Sequence, residues 1–248
     1  FLKFSDKKWK SLVKKNLAKM EIYPEEARMQ FENTVDWLKD KACTRKSGLG
    51  TPLPWDREWK IETLSDSTIY MAYYTIVHIL NSKKIPAQKL TDEVFDFVFL
   101  GKGNLLAVSK KSGMDKNMLK QMREQFVYFY PVNFRLSGKD LIINHLTYML
   151  FHHVAIWPEK LWPRGFAVNG FVQVTGEKMA KSRGNVLPLK DLIRKYGSDI
   201  VRANIVSSNE NMDDADWRDQ NIYAFVSRIK FLEDLVENLK KVKRNSVK

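Results

Sequence analysis

The 248-residue sequence predicts an α/β fold with a large share of helix. Apolar residues recur at helical spacing in several segments, the last of them Ile222–Leu239, as in amphipathic helices. Val132–Leu136 reads as a strand that a glycine turn joins to an apolar helix, the order found in parallel α/β sheets. Phe166–Val174 alternates around Asn169-Gly170, which predicts a β-hairpin.

Helices are expected along much of the first half. Residues 1–20 hold seven lysines against one aspartate and predict a short basic amphipathic helix. A second helix is expected from Pro24 to about Ala42, and a further one from about Leu64. The stretch 43–55 has two glycines and two prolines and predicts an irregular loop. Residues 81–130 are expected to form an inserted group of helices without visible chemistry.

The last part of the chain is also expected to be mostly helical. Pro188–Tyr196 reads as a helix ended by Gly197, and another helix is expected from Ser198. Residues 211–217 read as an acidic turn. The apolar stripe from Ile222 has no partner helix after it in the sequence. A basic tail follows: Lys240, Lys241, Lys243, Arg244 and Lys248.

Composition narrows the class of protein. With 42 Lys and Arg against 29 Asp and Glu, the net charge is +13 and favours an extended anionic partner such as nucleic acid. The single cysteine, Cys43, excludes an internal disulfide, and the four histidines leave little for zinc, so no structural metal is expected. No apolar run reaches the roughly 18 residues of a membrane span, and no signal peptide is visible, so we expect a cytoplasmic chain.

The segment Gly176–Gly184 is the strongest candidate for chemistry. It places Lys178 and Lys181 between two glycines, where two ammonium groups can neutralise a polyphosphate. Ser182 and exposed backbone N–H groups can add donors. Taken alone, such a pattern is more often a solvated basic turn.

Other candidates have equally ordinary alternatives. Asp140 follows a glycine turn and can accept hydrogen bonds from ribose hydroxyls, but aspartate is also a common helix cap. His145 is on an apolar helix, where a buried core histidine is more common than a ligand. The tyrosines at 70, 73 and 74 line either the core or a pocket. Arg45 and Lys46 fit a phosphate contact or a surface turn.

Taken in order, these motifs resemble the class I aminoacyl-tRNA synthetases over about residues 34–220, and among them the leucine-specific enzymes of archaeal and eukaryotic-cytosolic type. Residues 178–182 are similar to the KMSKS signature, with Ala180 in place of its usual serine. Residues 36–54 are similar to the segment where the chain returns to the catalytic domain after the editing insertion. Residues 64–70 and 137–145 are similar to two active-site segments.

The resemblance implies the second half of a Rossmann-like catalytic domain and the ATP-dependent joining of leucine to tRNA(Leu), with Mg²⁺ entering as part of the ATP complex. It implies that Lys178, Lys181 and Ser182 are catalytic and hold the triphosphate. The other implied site residues are Gly138, Asp140, His145 and Met179 for ATP, Ser65, Asp66 and Tyr70 for leucine, and Arg45, Lys46 and Arg183 for tRNA.

The resemblance also divides the chain. Residues 1–33 are expected to connect from an editing domain, 34–186 to form the catalytic half, 187–220 the stem-contact region, and 221–248 the first helix of an anticodon-binding domain. The family's His-x-Gly-His tetrapeptide does not occur in the sequence, so we expect an internal fragment that is inactive alone. An inactive basic RNA-binding module, and a relative specific for isoleucine or valine, remain as alternatives.

Overall fold

The structure, a computed structural model, describes residues 1–241 and divides the chain into two compact units, one of residues 1–168 and one that begins at Asn169. Each unit combines helices with short strands, which confirms the predicted α/β class. Three residues of the predicted basic tail, Lys243, Arg244 and Lys248, lie outside the described residues, as does the end of the predicted segment 221–248.

Helices dominate the first unit. They are α1 (Lys7–Leu17), α2 (Ala27–Trp37), α3 (Thr63–Asp66), α4 (Tyr70–Ser82), α5 (Asp92–Phe95), α6 (Leu105–Ser112), α7 (Lys116–Phe129) and α8 (Thr147–Ile156). The strands are β1 (Glu21–Tyr23), β2 (Thr44–Arg45), β3 (Lys60–Ile61), β4 (Arg135–Gly138) and β5 (Gly165–Asn169). Two π-helical segments are present, Asp96–Leu100 after α5 and Ile142–Leu146 before α8.

The predicted basic helix is confirmed as α1. The Asp6 carboxylate caps it by accepting the backbone N–H of Trp9 at 2.8 Å. The Trp9 indole N–H donates to the carbonyl of Phe151 at 2.7 Å, and the buried Phe4 ring stacks on Tyr148 with centroids 4.9 Å apart. These aromatic contacts join α1 to α8, the helix that follows the predicted active-site turn.

The second helix is shorter than predicted. It ends at Trp37, because Leu38 adopts an extended conformation and is fully buried there, so its place in the apolar pattern reflects burial and not helix. The sequence analysis also missed β1. That strand has three residues, too few to show alternation, and pairs in parallel with β5 through Ile22 and Phe166.

The predicted helices of residues 81–130 are confirmed. They surround a core with α4 in which Ile76, Val94, Leu119 and Phe126 are fully buried. Asn104 caps α6 and Asp115 caps α7 through their side-chain oxygens. The group therefore has an apolar interior of its own.

The three-stranded sheet has the order β1, β5, β4, and its β1 and β5 strands run parallel. The strand predicted at 132–136 instead begins at Arg135 and ends at Gly138, so both of its ends lie later in the chain than predicted. The predicted irregular loop at 43–55 is largely confirmed. Only Thr44 and Arg45 are in a strand, which pairs antiparallel with β3.

The second unit contains β6 (Val172–Val174), β7 (Glu177–Lys178), α9 (Leu189–Tyr196), α10 (Ser198–Ser207), β8 (Ala215–Trp217) and α11 (Asp219–Lys241). Its sheet has the order β7, β6, β8, with β6 antiparallel to β7 and parallel to β8. The two helices predicted around Gly197 are confirmed, and Gly197 has a φ of +82°. The helix predicted from Ile222 is α11.

The hairpin predicted at Asn169-Gly170 is wrong, because β5 and β6 belong to different sheets. Gly170 is needed there for close packing, since a Cβ atom would lie 2.0 Å from the carbonyl oxygen of Asp213. The hairpin of this region joins β6 to β7 instead. Its turn is Thr175-Gly176, with φ angles of +52° and +80°, the signs of a type I′ turn.

The acidic turn predicted at 211–217 is wrong in its second half, where Ala215–Trp217 forms β8 with two buried residues. The Asp214 carboxylate accepts the backbone N–H of Phe171 at 2.8 Å and the side-chain amide of Gln173 at 2.9 Å, so it ties β8 to β6. Trp217 then packs with Ile200, Val201 and Ile222 in a small core. The acidic residues of this segment therefore flank and enter a strand, where the composition alone had suggested a turn.

The apolar stripe of α11 is exposed over most of its length: Val226, Phe231, Leu232, Leu235, Val236 and Leu239 all face solvent in the structure. Within residues 1–241, no helix combines the length and the apolar character that a membrane span needs.

Candidate active-site segments

The segment Gly176–Gly184, which we call the basic loop, is fixed to the sheet at its start. The backbone N–H of Gly176 donates to the Asp216 carboxylate at 2.8 Å, and the Arg218 guanidinium contacts the same carboxylate at 2.6 Å. These two partners, the backbone N–H first, lower the pKa of Asp216 below its ordinary value. The turn of the hairpin is therefore tied to a charged residue of β8.

Asn185, the residue after the basic loop, closes the loop with two hydrogen bonds. Its side-chain oxygen accepts the backbone N–H of Ala180 at 2.8 Å, and its side-chain amide donates to the carbonyl of Lys178 at 3.2 Å. A short 3₁₀ turn, Lys181–Arg183, follows and ends at Gly184 with a φ of +68°. Position 180 therefore contributes a backbone hydrogen bond, which alanine supplies as well as serine does.

The two lysines of the basic loop are exposed. The Lys178 ammonium lies 5.2 Å from the centroid of the Phe171 ring, a cation–π distance. Within residues 1–241, neither Lys178 nor Lys181 is paired with a carboxylate, whereas Arg183 lies 3.6 Å from Glu177. Two unpaired ammonium groups beside the Ser182 hydroxyl give the loop the donors that a polyphosphate needs.

Met179 is half-buried, unlike the exposed Lys178 and Lys181. Its side chain lines a cavity of about 210 Å³ between the hairpin and the helices of the second unit. The other lining residues are apolar: Val172, Val174, Leu187, Leu189, Leu192, Ile205 and Trp217. Met179 therefore anchors the loop, while its neighbours remain available to a ligand.

In the first unit, Gly138 and Asp140 lie where β4 ends. A Cβ atom at position 138 would lie 2.6 Å from the Asp140 carboxylate oxygen, so a side chain there would displace that carboxylate from its present position. Asp140 is exposed, and the Asn144 amide donates to its backbone carbonyl at 3.2 Å. Its carboxylate can accept hydrogen bonds from hydroxyl groups of a ligand.

His145 is buried and has partners on both ring nitrogens. Its Nε2 lies 3.0 Å from Nη2 of Arg135, and its Nδ1 lies 3.4 Å from Oγ of Ser67. Burial first, and the Arg135 charge second, lower the pKa of His145, so the ring is neutral near pH 7. This is the environment of a satisfied core histidine, and it lies directly beside the predicted leucine segment.

The three residues predicted for leucine are on α3 and at the start of α4. Glu62 caps α3 by accepting the backbone N–H of Leu64 at 2.7 Å, while Ser65 and Asp66 are half-buried. The Tyr70 ring is 37% exposed, and its centroid lies 5.9 Å from the guanidinium of Arg135. The structure therefore brings Tyr70 and His145 to one place through Arg135 and Ser67, two residues that the sequence analysis missed.

Arg45 and Lys46 are both engaged within their loop. Arg45 Nη2 donates to the carbonyl of Leu49 at 2.6 Å. The Lys46 ammonium lies 5.1 Å from the Trp59 ring and 3.7 Å from the Glu58 carboxylate. They stabilise the irregular segment, and their predicted contact with tRNA stays a prediction.

Metal ligands are not clustered in the described part of the chain. Over residues 1–241, no three or more His, Cys, Asp and Glu side chains come together in a way that could hold a metal ion. Cys43 is a free, half-buried thiol.

The sequence pattern of the family "tRNA synthetases class I (I, L, M and V)" matches residues 4–218. The chain belongs to this family. It is 49% identical over 247 residues to the leucine–tRNA ligase of Methanothrix thermoacetophila, which covers all of this chain and 26% of that protein. It is 51% identical over 218 residues to the leucine–tRNA ligase of Methanosarcina barkeri, covering 88% of this chain and 23% of that protein. This chain thus spans about a quarter of the length of these curated relatives.

Solved structures agree on the fold. Methionyl-tRNA synthetase of Mycobacterium tuberculosis in complex with methionyl-adenylate superposes with a TM-score of 0.56 at 20% identity, over 87% of this chain and 35% of that one. A second structure of that enzyme bound by methionyl-adenylate gives a TM-score of 0.54 at 18% identity, over 88% of this chain and 36% of that one. The predicted resemblance to class I synthetases is confirmed for sequence family and fold.

Proposed function

We propose that this chain is the part of a leucine–tRNA ligase that supplies the triphosphate-binding loop and a share of the ATP and leucine sites. The observation that carries the proposal is the 49% identity to a leucine–tRNA ligase over 247 residues, a match that extends along the whole chain. In the reaction, a leucine carboxylate oxygen bonds to the α-phosphorus of ATP as the bond to the β-phosphate oxygen breaks, and pyrophosphate leaves. A ribose hydroxyl of the terminal tRNA adenosine then takes the leucyl group and releases AMP.

The basic loop has the groups for the first step. Lys178 and Lys181 would neutralise the charge that develops on pyrophosphate, and Ser182 would add a donor. The Phe171 ring, 5.2 Å from the Lys178 ammonium, would orient that group before ATP arrives. Mg²⁺ would enter with ATP as part of the substrate.

The turn after β4 and the start of α4 would form the rest of this chain's contribution. Gly138 and Asp140 would lie at the ATP ribose, with His145 nearby. The leucine residues would be Ser65, Asp66 and Tyr70, and the tRNA contacts Arg45, Lys46 and Arg183. The net charge of +13 supports tRNA as the partner.

We also propose that the 248-residue chain alone makes no leucyl-adenylate. Its sequence has no His-x-Gly-His tetrapeptide, and adenylate formation depends on donors that surround the reacting phosphate together. The proposed division is a connector at 1–33, a catalytic half at 34–186 with the inserted helices at about 81–130, a stem-contact region at 187–220 and an anticodon-domain helix from 221. Measuring adenylate formation by the purified chain tests the first statement, and any turnover would contradict it.

The whole proposal is tested in a chimera in which this chain replaces the matching segment of the Methanothrix thermoacetophila enzyme. ATP–pyrophosphate exchange is measured with each standard amino acid, and the unaltered enzyme is the positive control. We expect exchange with leucine only. Exchange with isoleucine or valine would contradict the leucine assignment. A folded chimera without exchange that still binds tRNA(Leu) would favour the alternative of a basic RNA-binding module.

A further inference from the structure

Arg135 is the first residue of β4, and no motif of the sequence points to it. In the structure its guanidinium lies between two residues of the proposed leucine and ATP segments. Its Nη2 is 3.0 Å from Nε2 of His145, and its guanidinium carbon is 5.9 Å from the Tyr70 ring centroid. One side chain thus joins β4, the π-helical segment Ile142–Leu146 and the start of α4.

The contact with Arg135 determines which nitrogen of His145 carries the proton. A guanidinium has donors and no acceptor, so Nε2 of His145 must accept. The ring proton of the neutral imidazole is then on Nδ1, which lies 3.4 Å from the Ser67 hydroxyl oxygen and can donate to it. Ser67 lies between the proposed leucine residues Asp66 and Tyr70, so the hydrogen bond continues into that segment.

The surroundings of His145 and Arg135 favour an arginine at position 135 over a lysine. His145 is 7% exposed, and Nε of Arg135 is buried without a hydrogen-bond partner among residues 1–241. Arg135 as a whole is half-buried, and a charge that is partly removed from water favours contacts that hold it in place. A planar guanidinium can donate to the imidazole and face the tyrosine ring at once, whereas the round ammonium of a lysine can make only the first contact well.

We propose that Arg135 is a positioning residue of the amino-acid activation site, holding His145 in the Nδ1–H tautomer and facing the Tyr70 ring. The reaction that it serves rests on the proposed function. The tautomer itself does not, because it follows from the contacts of the first unit alone.

The first test reads the tautomer in the full chain at pH 7.5, by long-range ¹H–¹⁵N spectra of the histidine rings. In the unaltered chain we expect the His145 proton on Nδ1. In Arg135→Met we expect it to move to Nε2, which is the form that free imidazole side chains prefer in water. Arg135→Lys, which keeps a donor, should retain the Nδ1 form. An unaltered chain with the proton on Nε2, or an Arg135→Met spectrum like the unaltered one, would overturn the proposal.

The second test measures leucine-dependent ATP–pyrophosphate exchange in the chimera described above. Loss of a hydrogen bond from a charged group should lower kcat/KM for leucine by about 10- to 100-fold in Arg135→Met. Arg135→Lys should recover part of that loss. The control is Arg164→Gln, an exposed arginine just before β5 whose guanidinium contacts only Asn133, at 3.2 Å, among the contacts that the structure shows; it should leave exchange unchanged.

The two tests separate the possible failures. If the unaltered chimera does not exchange with leucine, the proposed function fails while the tautomer result still decides the role of Arg135. If the chimera is active and Arg135→Met matches it in kcat/KM, the positioning role is wrong. If Arg135→Met unfolds, Arg135→Lys is compared with the unaltered protein instead. A lysine variant that keeps the Nδ1 tautomer but has a lower kcat/KM supports the proposal. A lysine variant with the proton on Nε2, or with unchanged kcat/KM, overturns it.

Discussion

The side-chain oxygen of Asn185 accepts the backbone N–H of Ala180 at 2.8 Å. With the donation from the same amide to Lys178, this bond fixes the backbone on both sides of Met179. The shape of the basic loop is thus specified by a residue beyond its closing glycine.

Replacing Asn185 tests that arrangement. Asn185→Ala removes both hydrogen bonds, and we expect about a tenfold loss in leucine-dependent exchange in the chimera, since each bond contributes roughly 1 kcal/mol. Asn185→Asp is the matched control, because it retains the acceptor for Ala180 and loses only the donor to Lys178. A smaller loss for the aspartate variant is expected. Equal activity of all three proteins would show that the loop does not need this closure.

Lys181→Ala tests the chemistry of the loop. Removing one charge-stabilising donor should lower kcat for exchange by about 10²–10³-fold, or roughly 2–4 kcal/mol of transition-state stabilisation. Leucine binding should change little, because Lys181 is proposed to contact the triphosphate and not the amino acid. The control is Lys190→Ala, an exposed lysine on α9. A rate for Lys181→Ala equal to that of the control would leave the solvated basic turn as the better interpretation.

His152 gives the stability of the chain a predictable pH dependence. It is buried, its Nδ1 lies 2.6 Å from the Thr68 hydroxyl, and burial lowers its pKa from 6.5 to about 4. The unfolded chain therefore takes up a proton before the folded chain does as the pH falls below 6.5. The stabilisation is complete above that pH and declines by about 1.4 kcal/mol per pH unit until the folded pKa is reached.

Urea unfolding between pH 7 and pH 4.5 measures this decline, with His152→Gln as the comparison, since glutamine keeps a polar partner for Thr68. The variant should show a shallower loss of unfolding free energy with acid. Some loss should remain in the variant, because burial also lowers the pKa of the neighbouring His153, to about 3. An identical slope in the two proteins would mean that folding does not lower the pKa of His152.

Asn204 is an unusual residue on α10. It is 1% exposed, and within residues 1–241 neither its side-chain oxygen nor its nitrogen has a hydrogen-bond partner. Leaving such a group buried costs about 1–3 kcal/mol, so Asn204→Leu should raise the unfolding free energy and Tm. Asn204→Asp should lower both, because it buries a charge at the same volume. A leucine variant less stable than the unaltered chain would indicate that the amide has a partner in solution.

The sequence predicts the position of a helix well where one periodic apolar pattern extends over the whole helix. The stripe from Ile222 predicts α11, and Gly197 correctly ends α9. Local patterns do not determine strand pairing. Asn169-Gly170 has the composition of a hairpin turn, but Gly170 serves close packing against Asp213, whereas the turn that does form uses Thr175, which rarely has positive φ.

Some residues of the candidate site could likewise be predicted from the sequence, and others could not. Lys178, Lys181 and Ser182 are adjacent in sequence, so their spacing alone brings them together. Arg135, in β4, meets the ring of Tyr70, and Asp216, in β8, meets the backbone of Gly176, although both partners are far away in the sequence. A single arginine or aspartate in a strand carries no distinguishing pattern. Those contacts require the tertiary fold.

The parallel pairing of β6 with β8 has a consequence for synthesis on the ribosome. Val172 pairs with Ala215 across α9 and α10, so the basic loop emerges before the strand and the Asp216 carboxylate that hold its turn. The hairpin of β6 and β7 can form first from local contacts, but its parallel partner arrives only after both helices have been translated. A nascent chain stalled before residue 215 would therefore display the two lysines on an unsupported hairpin.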